Sequence, residues 1–115
     1  LFPTWLCPEQ VRVIPIFEKF HEYAAQVEKK LKANGIRCSV DQRSEKMGYK
    51  IREARLERVP YMLVVGAKEL EEGVVSVRSR YLGDEGQKSL DSFIGEICEE
   101  IRTKRIRKIE VEEQK

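Results

Sequence analysis

Apolar positions follow two rhythms along the chain. Val11-Arg12-Val13-Ile14-Pro15-Ile16 is a short run rich in β-branched residues, the pattern of a buried strand, and Pro15 predicts that its later part lies near an edge or a bulge. Phe17, Phe20, Ala24, Val27 and Leu31 then recur at three- and four-residue steps, with Lys19, Glu22, Gln26, Lys29 and Lys30 between them. That spacing predicts an amphipathic helix. Asn34-Gly35 supplies residues that tolerate positive φ at a helix C-terminus, and Ile36 to Val40 alternates like a second strand. Strand, helix and strand make a βαβ unit.

From Glu45 to about Arg58 the pattern predicts a second helix, with Met47, Ile51 and Ala54 on one side and Tyr49 and Leu56 on another. Pro60 stops it. Pro60 to Gly66 is continuously apolar, as a central strand covered on both faces should be. Glu72-Gly73 marks a turn, after which Val75 and Val77 alternate with Ser76 and Arg78, giving one buried and one wet face. Gly83 to Lys88 is polar and contains glycine, which predicts a loop. Ser89 is placed to cap a last helix striped by Leu90, Ile94, Ile97 and Ile101, with Phe93 and Cys98 beside the stripe. The order βαβαββα predicts an α/β fold whose helices cover a mostly parallel sheet, with one antiparallel pair allowed by the short Gly66 to Val74 connection.

The 115 residues fit one domain, and 41% apolar content is enough for a single core. Cys7, Cys38 and Cys98 match neither a disulfide framework nor a zinc knuckle, so reduced thiols and a cytoplasmic location are expected. No apolar run approaches the roughly 18 residues of a membrane span. The first residue is Leu1 rather than Met, which suggests a piece of something longer. Catalysis is poorly supplied. His21 is the sole histidine and has no nucleophile near it, and neither GxGxxG nor GxxxxGK[ST] occurs. The acids Glu69, Glu71 and Glu72 read as a solvated turn, and no metal is expected.

Charge changes the picture locally. The whole chain carries only +2, yet between positions 43 and 58 the cations Arg43, Lys46, Lys50, Arg52, Arg55 and Arg58 face only Glu45, Glu53 and Glu57. On composition alone this is either an ordinary solvated helix laced with ion pairs or a polyanion-binding surface.

Three segments carry a resemblance: Phe2-Pro3-Thr4-Trp5-Leu6-Cys7-Pro8-Glu9-Gln10-Val11, Arg43-Ser44-Glu45-Lys46-Met47-Gly48-Tyr49-Lys50-Ile51-Arg52-Glu53, and Val59-Pro60-Tyr61-Met62-Leu63-Val64-Val65-Gly66-Ala67-Lys68-Glu69. In that order, from Phe2 to about Arg105, the chain resembles the C-terminal anticodon-binding domain of bacterial threonyl-tRNA synthetase. The resemblance implies a three-layer α/β/α domain with a mixed, mostly parallel sheet of about five strands and three flanking helices. It sets residues 1–105 as the domain, with 1–10 as contact with a preceding linker; after Arg102 the helical pattern decays, and 106–115 is expected to be a basic, then acidic, frayed tail.

The resemblance further implies that the chain binds the anticodon stem-loop of threonine tRNA, while absent domains aminoacylate with ATP. Magnesium and zinc belong by implication to that parent, which would be a homodimer, the fragment itself being a monomer without cofactor. Threonine anticodons share G and U at their second and third positions. The family positions that read bases correspond to Arg58, Glu69, Arg78 and Ser44. At Ser44 the family often has Asn, so a direct contact from the shorter hydroxyl is in doubt. Arg43, Lys46, Lys50 and Arg52 are expected at phosphates, with a buried ion pair the alternative for Arg52. Tyr49 is a candidate for base stacking, a partly buried ring being the favoured reading. Cys7 stands where many relatives carry Ala and reads as a packing residue. The competing functions are a protein-interaction module reusing the fold and, less well supported, a small flavodoxin-like or hydrolytic enzyme.

Overall fold

A computed structural model of the protein describes residues 3–43, 45–80 and 83–103. Ser44 and the tail at 106–115 lie outside the described residues. The elements are β1 (Val11–Pro15), α1 (His21–Ala33), β2 (Cys38–Val40), α2 (Met47–Leu56), β3 (Tyr61–Val65), α3 (Ala67–Glu72), β4 (Val74–Ser79), β5 (Gly83–Ser89) and α4 (Leu90–Arg102). The strands form one sheet in the order β2-β1-β3-β4-β5, parallel across β2, β1 and β3 and antiparallel across β3, β4 and β5.

Both strands predicted to be buried, β1 and β3, are buried at every residue and lie side by side inside the sheet. Pro15 ends β1 without forcing it to an edge, because its missing N–H falls at the strand terminus. One sheet face packs Val11, Val13, Leu63, Val65, Val75 and Val77 against Ala24, Val27 and Leu31 of α1 and Phe93, Ile94 and Ile97 of α4. Ser89 accepts from the Ser92 backbone N–H at 3.1 Å and so caps α4 as the sequence predicts.

The other face is covered by α2, whose Ile51 and Ala54 pack with Ile14, Val59, Met62 and Val64. Two readings need correcting. The polar segment from Gly83 is a strand rather than a loop. As the outermost strand, β5 is held by backbone pairing to β4, with a bulge between Val77 and Arg78, and needs little apolar character. The acids at 69, 71 and 72 lie in a helix rather than a turn; this helix, α3, ends at Gly73 with φ 68°. Among the described residues no helix is long and apolar enough to cross a membrane.

Candidate nucleic-acid interface

Strand register decides which polar side chains meet. Paired residues share a face, so Arg12, Met62, Arg78 and Asp84 form one row across β1, β3, β4 and β5, and Ile14, Val64, Ser76 and Gln87 form the next. Both rows point to the α2 side, because Met62, Val64 and Ile14 belong to its cluster. The rows are about 7 Å apart, two residues along a strand. α2 packs over β1, while α3 reaches β4 at one end. Arg78 is left half-buried, and Asp84 and Gln87 are exposed. The result is an open polar patch beside α2.

Glu69, in the first turn of α3, is folded onto that patch. Its Oε2 accepts from Ser76 Oγ at 3.1 Å and from Gln87 Nε2 at 3.0 Å, and the residue is buried. Gly66 lets the carboxylate come close: a Cβ there would stand 3.1 Å from Glu69 Oε1 and 2.5 Å from Ile16 Cδ1. Arg58 approaches from the opposite end, just beyond α2. Arg80 follows β4 and donates from Nη1 to the Arg58 carbonyl at 3.3 Å. A cleft of about 610 Å3 lies between this corner and the N-terminal segment, lined by Cys7, Pro8, Glu9, Glu57, Arg58, Val59 and Arg80. Glu69 and Arg78 thus share one face, and Arg58 lines the cleft at its corner.

The expected phosphate contacts separate into two kinds. Lys46 and Arg52 are exposed, and Arg52 makes no buried ion pair among the described residues. Arg43 binds Asp41 bidentately at 2.9 and 2.7 Å and pairs with Glu53 at 2.7 Å, so much of its charge is offset. Its guanidinium holds the Asp41 carboxyl below the ordinary range. Lys50, expected at a phosphate, is instead turned inward. Only 2% of it is exposed, and its Nζ donates to the carbonyls of Asp41 at 3.2 Å and Pro15 at 3.5 Å. Contact with a phosphate would strip a buried ammonium from both acceptors. Tyr49 is 45% exposed, with Arg43 lying 5.5 Å from its ring centroid. A hydrogen bond to Glu53 raises its phenol pKa.

Residues 10–100 match the anticodon binding domain family. The chain belongs to that family. It is 60% identical over 103 residues to the threonine–tRNA ligase of Caldanaerobacter subterraneus subsp. tengcongensis, and 54% identical to that of Acetivibrio thermocellus. Each match covers 90% of this chain, which spans only 16% of either relative. Among solved structures, the RNA binding domain of threonyl-tRNA synthetase from Cryptosporidium parvum Iowa II aligns with a TM-score of 0.80 and 36% identity, covering 85% of this chain and 25% of that one. Prolyl-tRNA synthetase from Cryptosporidium parvum, complexed with L-proline and AMP, aligns at 0.77 and 27%, covering 89% and 24%.

Two features of this anticodon binding domain were missed from sequence. Arg12, the polar member of an apolar strand, is buried and bidentate to two acids: Glu9 at 2.9 and 2.7 Å and Glu57 at 3.2 and 2.9 Å. Arg80 holds the Arg58 backbone. A lone Arg inside a β-branched run was the available signal for the first; the second depends on a contact across 22 positions. Among the described residues no group of three His, Cys, Asp or Glu side chains could hold a metal ion.

Proposed function

We propose that this chain is the part of a threonine–tRNA ligase that grips the anticodon stem-loop of threonine tRNA and reads its second and third bases, G and U. The observation that carries the reading is that Glu69 and Arg78 share one open patch of the sheet, with Arg58 lining the cleft at its corner. An arginine can donate two bonds to guanine O6 and N7, and a carboxylate can accept from guanine N1–H and N2–H2. Ser76 and Gln87 both donate to Oε2 of Glu69 and hold its carboxylate at the patch. Single-stranded loops are recognised in this way, by splayed bases bonded along their edges and phosphates held by cations.

Lys46 and Arg52 are the phosphate contacts in this proposal, with Arg43 contributing what charge its two acids leave. Ser44 joins the base-reading set on the resemblance alone. The exposed Tyr49 ring offers a stacking face. Residues 1–105 form the module and 106–115 a tail. The parent, a homodimeric cytoplasmic ligase, would supply ATP, magnesium and zinc chemistry in its other domains, to which this module presents the tRNA; alone it is a non-catalytic monomer.

NMR shift mapping with a threonine anticodon stem-loop tests this. Amides within 43–58 and 69–80 should move, and Arg78→Ala should cost about 1–3 kcal/mol against the cognate loop but less against a G-to-A substituted loop. Affinity should fall steeply with salt. Unmoved amides in both segments at saturating RNA would overturn the assignment, and equal losses for both loops would reduce Arg78 to a phosphate contact.

A further inference from the structure

Among the described residues three helices end in the left-handed conformation, and one of them does so against the preference of its residue. α1 is followed by Gly35 at φ 76° and α3 by Gly73 at φ 68°, whereas α2 is followed by Arg58 at φ 60°. Among the described residues Arg58 is the one non-glycine with positive φ. Its cap is bonded like that of α1. Gly35 N–H donates to Lys32 O and Ile36 N–H to Leu31 O, at 3.0 and 3.1 Å; Arg58 N–H donates to Arg55 O and Val59 N–H to Ala54 O, both at 3.0 Å. This paired pattern calls for glycine, because a Cβ crowds the following carbonyl in the left-handed region. Strain of that kind persists only where the surroundings impose it.

The surroundings here are specific. Glu57, the residue before Arg58, is clamped by both terminal nitrogens of Arg12. Arg12 is itself fixed by Glu9, whose Oε2 also accepts from Ser39 Oγ at 2.6 Å. Arg80 then takes the Arg58 carbonyl. The strained residue is thus gripped on both sides, by an ion-pair chain rooted in β1 and by the residue following β4, and it lines the cleft at the corner of the open patch.

We propose that Arg12 and Glu57 are positioning residues for anticodon recognition: their ion pair holds Arg58 in a strained helix cap so that its guanidinium is aimed before RNA arrives. Arg12 touches no base and works through Arg58. The fold gives up stability at this cap to fix a contact residue, since glycine would close the helix better and recognise nothing. This inference rests on the proposed anticodon-binding function.

The test is a double-mutant cycle on the 115-residue chain, read by thermal melting and by binding to a threonine anticodon stem-loop. Arg58→Gly should raise Tm by about 4–8 °C while weakening binding at least tenfold. Glu57→Gln should weaken binding several-fold when Arg58 is present and have no further effect on binding in the Arg58→Gly background, while lowering Tm in both backgrounds. A merely structural clamp would lower Tm in the same way but leave no such coupling in binding. A fall in Tm for Arg58→Gly overturns the strained cap. Equal binding losses for Glu57→Gln in both backgrounds overturn the positioning role. No binding by the unsubstituted chain overturns the anticodon function together with this inference, an outcome distinct from the other two.

Discussion

Under α1 and α4 the sheet presents mainly apolar side chains, with Leu31, Leu63, Phe93 and Ile97 among the most buried in the protein and Phe93 meeting the Tyr61 ring edge-on at 5.4 Å; the polar groups buried there are Ser79 and Glu100, which accepts from the Tyr61 hydroxyl. Under α2 the apolar cluster shrinks to Ile14, Ile51, Ala54, Val59, Met62 and Val64, and buried Arg12, Lys50, Asp41 and Glu69 accompany it. The first face is closed by two helices of 13 residues each; the second is shared between the 10 residues of α2 and the polar patch on β4 and β5. One sheet therefore separates two jobs. Burial on the closed face supplies the stability that lets the other face keep charges, a strained cap and a half-exposed arginine.

The strongest way to break this comparison is to attack each face and ask which property fails. Phe93→Ala should destabilise the fold by about 3–5 kcal/mol, the range for truncating a buried aromatic, without changing base preference in the molecules that remain folded. Arg78→Ala should change stability by no more than about 0.5 kcal/mol, as a substitution outside the core, while losing affinity for the cognate loop. Urea unfolding beside RNA titration measures both. A base-preference change in Phe93→Ala, or a melting loss in Arg78→Ala equal to that of Phe93→Ala, would show that the faces are not separate.

The closed face was also the legible one. Periodicity alone gave α1 and α4, and continuous apolar runs gave β1 and β3, because each buries its apolar side chains against the same core. On the open face the apolar side of α2 and the alternation of β4 were legible, and the rest hides from such reading. β5 has no apolar stripe, since its place depends on backbone bonds to β4, and α3 is six residues long with Leu70 exposed. Arg58, Glu69 and Arg78 came from family resemblance, and no spacing rule would have gathered them. Lys50 shows the limit most clearly. In sequence it is one cation among six, and only the fold brings it the carbonyls of Pro15 and Asp41, 35 and 9 positions away. The Arg12–Glu57 pair, 45 apart, is invisible for the same reason.

Lys50 sharpens the comparison at intermediate size. If it is a structural donor inside the functional face, Lys50→Met should cost about 1–3 kcal/mol of stability by leaving buried carbonyls without their donor. The salt dependence of RNA binding should keep its slope, because no phosphate contact is lost. Lys46→Met should do the reverse, lowering the slope by about 1 with little change in stability. A reduced slope in Lys50→Met would return Lys50 to the phosphate contacts and make the open face more basic than its burial indicates.

The smallest expected effect is the response of the two faces to acid. Ionisable groups are built into the α2 face: hydrogen bonds from Arg43 hold Asp41 below the ordinary carboxylate range, and those from Arg12 do the same for Glu57. A carboxyl with a depressed folded-state pKa adds stability that is present above its unfolded pKa and lost as pH falls through the folded value. Acid should therefore loosen the α2 side, with the loss beginning as pH drops below roughly 4 and growing as each carboxylate is protonated. Glu57 is half-exposed, so solvent screening keeps its share small, and the buried Asp41 carboxylate carries more. Amide exchange measured down the acid limb should show α2 and the backbone near Asp41 losing protection before α1 and α4 do. Asp41→Asn should flatten that limb and leave the α1 and α4 amides as they were. Loss of protection across α1, α2 and α4 at one pH would mean that the sheet transmits acid damage as a unit, and the division between its faces would then be one of chemistry and not of stability.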